Sequence, residues 1–354
     1  MRRLAIASGL LVAAACGGGG GAGVDAAGDD GGGGGDAVVL DTPANTWTWV
    51  EIPGTTCANG SPAGFGVNRS TEPGGDDLFV LFQGGGACWD GPTCVVQRTS
   101  VHIEDTYTMA TLAMEVGTAP VNHADTTNPL AHATWIYVPY CTGDLHGGAR
   151  RAEYVVNGGT RAVEHAGATN TQRFVEVLRG NFPDADTVWL AGVSAGGFGA
   201  TLNLHRFRAA WPSAGLHLLQ DGSPFVPVLA AYDTWQASWS LQFPPGCAGC
   251  ASSFPAVVDA VTAANPTSRV GLLHYDDDQV IRQYFGYTGS MVAATNALLA
   301  DQYDLPTTHA FVLAGNGHTM LGQLGTLTGP GGVRLIDWVN QWRSEERRVG
   351  KECR

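Results

Sequence analysis

Gly192, Ser194 and Gly196 have the G-x-S-x-G spacing of a serine nucleophile on a sharp turn between a strand and a helix. The backbone of such a turn is so crowded that glycine is favoured two residues before and two residues after the serine. The spacing alone is weak, because the chain has 50 glycines among its 354 residues. Its context is more specific, since residues 187–191 are typical of a buried strand and residues 198–208 can continue as a helix.

A serine hydroxyl is a weak nucleophile, so the chemistry also requires an imidazole that takes its proton and a carboxylate that orients the imidazole. His318 is the predicted base, because it lies in a glycine-rich loop directly after the strand-like segment 308–313. Other histidines have plainer interpretations: His205 falls in the helix that follows the serine, and His274 falls inside a strand.

The predicted acid is Asp276, which follows the strand-like segment 270–275. Asp277 or Asp278 is the next choice, and Asp221 is the last. A serine, then an aspartate, then a histidine is the chain order of α/β-hydrolases. The three consecutive aspartates would alternatively suit calcium, but the fuller set of oxygen ligands of a calcium loop is not visible around them.

A glycine run marks the predicted site of the amides that would stabilise an oxyanion. Gln83-Gly-Gly-Gly follows the apolar segment 77–82 and lies upstream of the serine. In α/β-hydrolases, oxyanion-hole amides occur at this point, where bare backbone can approach a ligand closely. An ordinary loop made of glycine is the alternative.

The elements that must position these residues predict an α/β fold, with a mostly parallel central sheet flanked by helices. The predicted strands are 47–52, 64–67, 77–82, 134–139, 187–191, 216–219, 270–275 and 308–313, and the predicted helices are 169–179, 198–208 and 333–342. The first two strands are expected to form a hairpin at an edge of the sheet. No internal repeat or domain break is visible.

Two further segments have open interpretations. Asp144 and His146 follow a predicted strand and would either contact substrate or hold a loop. Residues 225–254 carry Trp235, Trp239 and Phe243 and are predicted to form a cap-like insertion at the rim of the cleft. The aromatic rings there would stack on sugars or pack within the cap.

Six of the eight cysteines lie between the two ends of the chain, and an even number in an exported chain predicts three disulfides. A zinc site at Cys247-x-x-Cys250 is less favoured, because no second pair has ligand spacing. Separation in sequence favours Cys88 with Cys94 and Cys247 with Cys250, which leaves Cys57 with Cys141. Six cysteines allow fifteen pairings, so the connectivity stays open.

The ends of the chain are unlike its centre. Residues 1–16 have a basic start and an apolar run and are predicted to be an export signal, with Cys16 resembling the lipid-attachment cysteine of bacterial lipoproteins. Ordinary cleavage just before Cys16 is the alternative. Residues 17–40, nearly all Gly, Ala and Asp, are predicted to be a flexible tether before the domain at 41–342. Residues 343–354 match the translation of a common sequencing adapter, so we hypothesise that this tail is not native.

The chain is acidic, with a formal net charge of −13 at pH 7, or −17 without Arg2, Arg3 and the tail of net charge +2. Nucleic acid is therefore an unsuitable partner, and a neutral or heavily esterified glycan suits the charge better than a bare anionic polymer. The predicted chemistry needs no metal and no organic cofactor. Membrane contact is expected only through a lipid anchor on Cys16, and we expect a monomer.

Several spaced motifs together resemble the pectin acetylesterase/Notum family, and the resemblance runs from about Cys57 to His318. The motifs are Thr56-Cys57-Ala-Asn-Gly-Ser-Pro-Ala-Gly64, Gln83-Gly-Gly-Gly-Ala-Cys88 with Cys94, Asn128-Pro129 ahead of Pro139-Tyr-Cys141, Leu190-Ala-Gly-Val-Ser-Ala-Gly-Gly197 and Tyr275-Asp-Asp-Asp-Gln279. This resemblance implies an α/β-hydrolase carboxylesterase with Ser194 as nucleophile, Asp276 as acid and His318 as base. It also implies an oxyanion hole formed by the amides of Gly85, Gly86 and Ala195.

The resulting hypothesis is an exported serine esterase that removes small acyl groups, most simply acetyl, from a polysaccharide. A Notum-like lipid or protein deacylase with a longer acyl pocket is one alternative. A glycan-binding surface protein that keeps the fold without the chemistry is another. A complete set of Ser194, Asp276, His318 and the glycine loop argues for an active enzyme.

Overall fold

An eight-stranded sheet runs through the computed structural model, which describes residues 38–72, 77–117, 128 and 130–344. The predicted export signal and most of the predicted tether and tail lie outside these residues. The last residues of the predicted tether belong to the domain, because Leu40 is buried and its amide donates a hydrogen bond of 2.8 Å to Asn181 Oδ1. The domain therefore begins before residue 41.

The sheet has the strand order β1-β2-β4-β3-β7-β8-β9-β10. The strands are β1 (Thr48–Thr56), β2 (Pro62–Asn68), β3 (Leu78–Phe82), β4 (Thr134–Val138), β5 (Arg150–Val156), β6 (Gly159–His165), β7 (Thr187–Val193), β8 (Gly215–Asp221), β9 (Val270–Tyr275) and β10 (Thr308–Leu313). The pairs β1/β2 and β2/β4 are antiparallel, and every pair from β4 to β10 is parallel. The predicted edge hairpin and mostly parallel sheet are confirmed. The separate hairpin of β5 and β6 was not predicted.

Helices cover both faces of the sheet. They are α1 (Met109–Val116), α2 (Gly167–Asn181), α3 (Ala195–Ala210), α4 (Tyr232–Trp239), α5 (Ala256–Ala264), α6 (Gln279–Phe285), α7 (Met291–Gln302) and α8 (Leu335–Arg343). The apolar residues of α2, α3 and α5 pack on one face, and those of α1 and α8 pack on the other. Among the described residues, no helix has the length and apolar character needed to span a bilayer.

Successive residues of each central strand point to opposite faces, as the pleat of a β-strand requires. In β3, Leu78, Val80 and Phe82 belong to the core beneath α3, whereas Phe79 and Leu81 belong to the core beneath α8. We call these the α3 face and the α8 face. Burial on both sides explains why the strand reads as a continuous apolar run in the sequence.

The predicted cap at residues 225–254 is wrong for its tryptophans, which form part of the core. Trp235 and Trp239 are 1% and 0% exposed, so neither ring is free to stack on a sugar. Their rings stack at a centroid distance of 5.2 Å, and Trp239 Nε1 donates a 2.7 Å hydrogen bond to the Cys88 carbonyl. The aromatic content of this segment therefore closes the interior beside α3.

The part of the chain that the structure describes contains three disulfides, and they are the three pairs that separation in sequence favoured. They join Cys57 to Cys141, Cys88 to Cys94, and Cys247 to Cys250. The Cys57–Cys141 bond ties the end of β1 to the segment after β4, while the Cys88–Cys94 bond closes the loop that follows the glycine run. Disulfides are typical of proteins that fold in an oxidising compartment.

Candidate active site

Ser194 lies on the predicted turn between β7 and α3, with φ 55° and ψ −122°. A positive φ at a residue with a side chain is a strained conformation that the surroundings must hold in place. The two flanking glycines allow it: a Cβ on Gly192 would lie 2.1 Å from the Gly196 carbonyl oxygen, and one on Gly196 would lie 2.0 Å from the Phe82 carbonyl oxygen. The G-x-S-x-G spacing is therefore a steric requirement of this turn.

His318 contacts Ser194 as predicted. Its Nε2 lies 2.7 Å from Ser194 Oγ, and its Nδ1 lies 2.7 Å from Asp278 Oδ2. A carboxylate accepts the hydrogen bond at Nδ1, so Nε2 is left to accept the serine proton. The imidazole is 22% exposed and the Asp278 carboxylate is 0% exposed. The three side chains can therefore move a proton away from a serine that attacks a carbonyl carbon.

The prediction of Asp276 as the acid is wrong, and the second choice, Asp278, occupies that place. Asp276 Oδ1 instead accepts a 2.9 Å hydrogen bond from the Gly315 amide, in the loop that leads to His318. Asp277 pairs with Arg282 at 2.6 Å. The reason is local: β9 ends at Tyr275, and Asp276 and Asp277 form a turn. Asp278 is therefore the first residue after β9 whose side chain contacts the histidine.

Asp278 also begins α6. Its Oδ1 accepts hydrogen bonds from the amides of Val280 at 2.9 Å and Ile281 at 3.0 Å, which makes it the N-cap of that helix. These bonds satisfy two amides of the first turn of α6, which have no acceptor within the helix. One oxygen is thus held by α6, and the other oxygen orients His318.

Asp221, the last choice for the acid, does not contact the imidazole of His318. Its carboxylate is fully buried at the end of β8 and accepts hydrogen bonds from the amides of Met320 and Leu321. Burial raises the pKa of Asp221 to about 7, although these amides act in the opposite direction. The residue supports the loop of His318 from behind.

The glycine run lies against the serine turn. A Cβ on Gly84 would lie 2.2 Å from the Val193 carbonyl oxygen and 2.9 Å from Ser194 Cβ, so only glycine fits there. Gly85 and Gly86 have φ values of 143° and 81°, which disfavour any other residue. Ala195 is the first residue of α3, where the backbone amides have no acceptor within the helix. Gly85 and Gly86 line the same cavity as Ser194, and Ala195 follows the serine directly in the chain. The oxyanion-hole role of their amides stays a prediction.

A cavity of about 520 Å³ opens beside Ser194 and His318. It extends along the α8 face of the sheet and also borders Phe82 at the end of β3. The strand residues of the α8 face that line it are Phe79, Leu81, Trp135, Tyr137, Val193 and Leu219. Phe79 is in register with Trp135 and Trp189, five residues before Ser194. At about 3.3 Å per residue along a strand, Phe79 lies roughly 16 Å from the serine, which is an upper bound on the depth of the cavity. Its wall is mostly apolar and it is large enough for a sizeable ligand.

Glu115 of α1 is the main polar group in this wall, and the sequence carried no signal for it. Its Oε1 accepts hydrogen bonds of 2.7 Å from both Gln83 Nε2 and His102 Nε2, and its Oε2 accepts from Tyr107 and Tyr137 at 2.5 and 3.1 Å. Burial acts to raise the pKa of this carboxyl, but the hydrogen bonds from His102 and Tyr107 outweigh it and hold the pKa below its usual value. The carboxylate thereby ties α1 to the residue that begins the glycine loop.

His146 and Asp144 hold a loop, which is one of the two roles left open for them. Both are buried, and neither lines the cavity. His146 Nε2 donates a 2.9 Å hydrogen bond to the carbonyl of Gln83, immediately before the glycine run. Burial lowers the pKa of His146 to about 4, so the ring is neutral near pH 7 and keeps this single donor role. A substrate contact by either residue is excluded by this burial.

Comparison with known proteins gives three concordant results. A sequence profile described as pectinacetylesterase matches residues 46–239. The palmitoleoyl-protein carboxylesterase Notum of Drosophila melanogaster is 30% identical over 158 residues, which is 43% of this chain and 23% of that protein. Notum of Homo sapiens is 29% identical over 187 residues, covering 48% of this chain and 34% of that protein. The chain thus spans about a quarter to a third of the length of the curated relatives it matches.

The same architecture occurs in a solved structure. The crystal structure of the Wnt deacylase Notum from Drosophila superposes on this chain with a TM-score of 0.62. The superposed region covers 84% of this chain and 92% of the Notum chain, and the two sequences are 17% identical. At that identity the likeness shows a shared fold, the α/β-hydrolase fold predicted from the order of the motifs. The family profile spans more than half of the chain and includes the glycine run and the serine turn. The chain belongs to the pectinacetylesterase family.

Proposed function

We propose that this protein is a serine carboxylesterase in which Ser194 is the nucleophile, His318 the base and Asp278 the acid. The observation that carries the proposal is the pair of 2.7 Å hydrogen bonds that joins the three side chains at the mouth of the cavity. The amides of Gly85, Gly86 and Ala195 are the proposed oxyanion-hole donors. The chemistry of these groups needs no cofactor.

The reaction has two halves. Ser194 Oγ attacks the ester carbonyl carbon while His318 Nε2 takes the hydroxyl proton, and the negative charge that develops on the carbonyl oxygen is stabilised by the backbone amides. His318 then gives the proton to the departing alcohol oxygen, which leaves an acyl-serine ester. Water attacks this ester with the same proton transfers in turn, and releases the carboxylic acid and free Ser194.

The size and polarity of the cavity favour an acyl chain longer than acetyl. A carbon–carbon bond of about 1.5 Å advances an extended chain by roughly 1.3 Å per methylene, so a depth of at most about 16 Å accommodates a chain of up to about ten carbon atoms. Filling an apolar cavity with a chain of that length is favourable by about 0.8 kcal/mol per buried methylene. The observation supports the alternative considered from the sequence, a deacylase of the kind named for the Notum relatives.

Removal of acetyl groups from a polysaccharide is the second candidate function. It is favoured by the description of the family profile, pectinacetylesterase, and by the acidic charge, which suits a neutral or heavily esterified glycan. A binding protein without catalysis is less favoured, because a complete hydrogen-bonded Ser-His-Asp chain has no evident use in it. We further propose that the protein acts outside the cytoplasm, since the described residues contain three disulfides. Lipid attachment at Cys16 and a monomeric state stay predictions.

Hydrolysis of p-nitrophenyl acetate, octanoate and decanoate by the purified protein tests both parts of the proposal. We expect kcat/KM to rise from acetate to decanoate. Ser194→Ala should lower every rate by a factor of about 10⁴ or more, as expected when a triad nucleophile is lost. Hydrolysis that survives this substitution would contradict the mechanism. A preference for acetate, together with acetate release from acetylated pectin or xylan, would instead support the second candidate.

A further inference from the structure

We propose that Asp221 is a positioning residue that fixes the distance between the serine turn and the loop of His318. The inference rests on the proposed function, because it takes Ser194 and His318 as the reacting pair. Asp221 touches neither reacting atom. It ends β8 and lies between the two segments that carry them.

The side chain of Asp221 holds the histidine loop. Its Oδ1 and Oδ2 accept hydrogen bonds from the Met320 amide at 2.8 and 3.0 Å, and Oδ2 also accepts from the Leu321 amide at 2.8 Å. Both donors come within three residues of His318 along the chain. The carboxylate is 0% exposed, so no water can replace these contacts without reorganisation of the loop.

The main chain of Asp221 holds the serine turn. Its carbonyl oxygen accepts a 2.7 Å hydrogen bond from the Ser194 amide. Two residues further on, Ser223 Oγ donates a 2.7 Å hydrogen bond to the Ser194 carbonyl. A Cβ on Gly222 would lie 2.5 Å from the His318 carbonyl oxygen, so the segment also contacts the histidine directly. One short stretch of chain thus sets the positions of both the nucleophile and the base.

Burial of the Asp221 carboxylate costs free energy, which argues that the residue has a specific role at this position. Taking a carboxylate out of water is unfavourable, and the raised pKa of Asp221 reflects that burial. Residues 314–316, shortly before His318, are exposed, and two hydrogen bonds hold them there: the Gly315 amide donates to Asp276 Oδ1, and the Gly315 carbonyl accepts from the Asp277 amide. Without the Asp221 carboxylate, the imidazole of His318 would still bond to Asp278, but the loop after His318 would lose the buried acceptor of the Met320 and Leu321 amides. A displacement of about 1 Å between reacting groups is enough to lower a rate by about 100-fold.

Asp144 provides a matched control. It is also 0% exposed, and its carboxylate accepts hydrogen bonds from Thr142 Oγ1 at 2.6 Å and from the amides of Gly148 and Gly167 at 3.2 and 2.8 Å. Its number and kind of donors resemble those of Asp221, but none of them belongs to the serine turn or the histidine loop. Its link to the site is indirect, through His146 of the same loop and the Gln83 carbonyl, so loss of Asp144 reports mainly the cost of removing a buried carboxylate.

The test compares Asp221→Ala, Asp221→Asn and Asp144→Ala in the full chain, with kcat and KM for p-nitrophenyl octanoate corrected for the folded fraction. We expect Asp221→Ala to lower kcat by about 100-fold, because the base is misplaced, with a much smaller rise in KM, because Leu321 is one of many residues that line the cavity. Asp221→Asn keeps one acceptor oxygen and should restore about a tenth of the activity. Asp144→Ala should lower the melting temperature but leave kcat of the folded protein within about threefold. The rate of fluorophosphonate labelling of Ser194 should follow kcat.

Two results would overturn the inference: an unchanged kcat in folded Asp221→Ala, or an equal loss of kcat in Asp144→Ala. Ser194→Ala, measured alongside, separates this failure from failure of the proposed function. If Ser194→Ala is inactive while Asp221→Ala is fully active, only the positioning role is wrong. If Ser194→Ala keeps activity, the proposed function itself is wrong.

Discussion

On the α3 face of the sheet, Leu190 of β7 is fully buried and packed among other side chains, whereas on the α8 face Leu81 of the adjacent strand lines an open cavity. The two faces have similar apolar residues at alternating positions of the same strands. They differ in how far the covering elements fill the space above them. Packing is complete where α2 and α3 lie, and incomplete near Ser194, where α8 and the loop after His318 leave room for a ligand. The α3 face therefore serves stability, and the α8 face combines stability with recognition.

The largest expected effect is a loss of kcat from a substitution at the edge of the sheet where the cavity opens. Polar contacts at this edge, which neither packed face has, determine turnover. Asp278→Asn should lower kcat by about 10⁴, since the amide no longer stabilises the correct imidazole tautomer or its charge. Asp276→Asn is the matched control and should stay within about threefold of the natural protein. Steady-state kinetics on p-nitrophenyl octanoate measure both. If Asp276→Asn shows the greater loss, the assignment of the acid from the structure is wrong.

Truncation of one leucine on each face tests the difference in packing. Leu190→Ala should lower the free energy of unfolding by about 2–5 kcal/mol, because it creates a new void in a filled core. Leu81→Ala should cost nearer to about 2 kcal/mol, since the side chain already borders a cavity and mainly its transfer free energy is lost. Urea denaturation measures both values. Equal costs would mean that the cavity closes in solution.

Buried titratable groups on the two faces should give opposite pH dependences of stability. Burial raises the pKa of Asp221 to about 7, so the stabilising contribution of its neutral form is complete below about pH 4 and is lost as the pH rises through 7. By linkage, this loss amounts to up to about 4 kcal/mol. Burial lowers the pKa of His274 to about 3, so its contribution is lost as the pH falls below about 6.5.

Melting temperatures of the natural protein and of Asp221→Asn, measured from pH 4 to pH 8, check this sign. The difference in stability should move in favour of Asp221→Asn as the pH rises. A difference that stays constant across the range would show that Asp221 has the same pKa in the folded and unfolded states.

The smallest expected effect is a change in acyl-chain preference. Leu81→Phe should lower kcat/KM for decanoate by about 10-fold or more and leave acetate nearly unchanged, because the ring occupies the middle of the cavity. Val80→Leu adds bulk on the opposite face of the same strand, so it should affect stability without altering the chain-length profile. Relative rates on a series of p-nitrophenyl esters measure the change. A uniform loss on all esters would place the acyl chain outside this cavity.

Residues whose local sequence carries its own constraint were predictable. Ser194 and its glycines were found because the tight turn excludes side chains at two fixed positions. The glycine run and His318 were found because each follows a strand of parallel direction, and parallel strands bring their carboxyl ends to one edge of the sheet. The disulfide between Cys88 and Cys94 was favoured by their short separation along the chain.

Other features depended on distances in space. Asp276 and Asp278 differ by two residues, and only the path of the turn after β9 decided which of them meets His318. Glu115 draws its partners from four separate places in the chain, so no local pattern could reveal it. Trp235 and Trp239 were assigned to a cap, either stacking on sugars or packing within it, because the sequence does not distinguish an aromatic residue at a rim from one in the core.

By itself, the sequence determined the order of the strands along the chain and the steric signature of the serine turn. It also determined the set of residues from which a hydrolase site can be built. The tertiary structure decided which carboxylate completes that site, which aromatic rings are buried and how much space lies beside the serine. The physical reason is that periodicity and backbone sterics act between near neighbours in the chain. A cavity and a hydrogen-bond network arise only when strands and helices from distant parts of the chain come together.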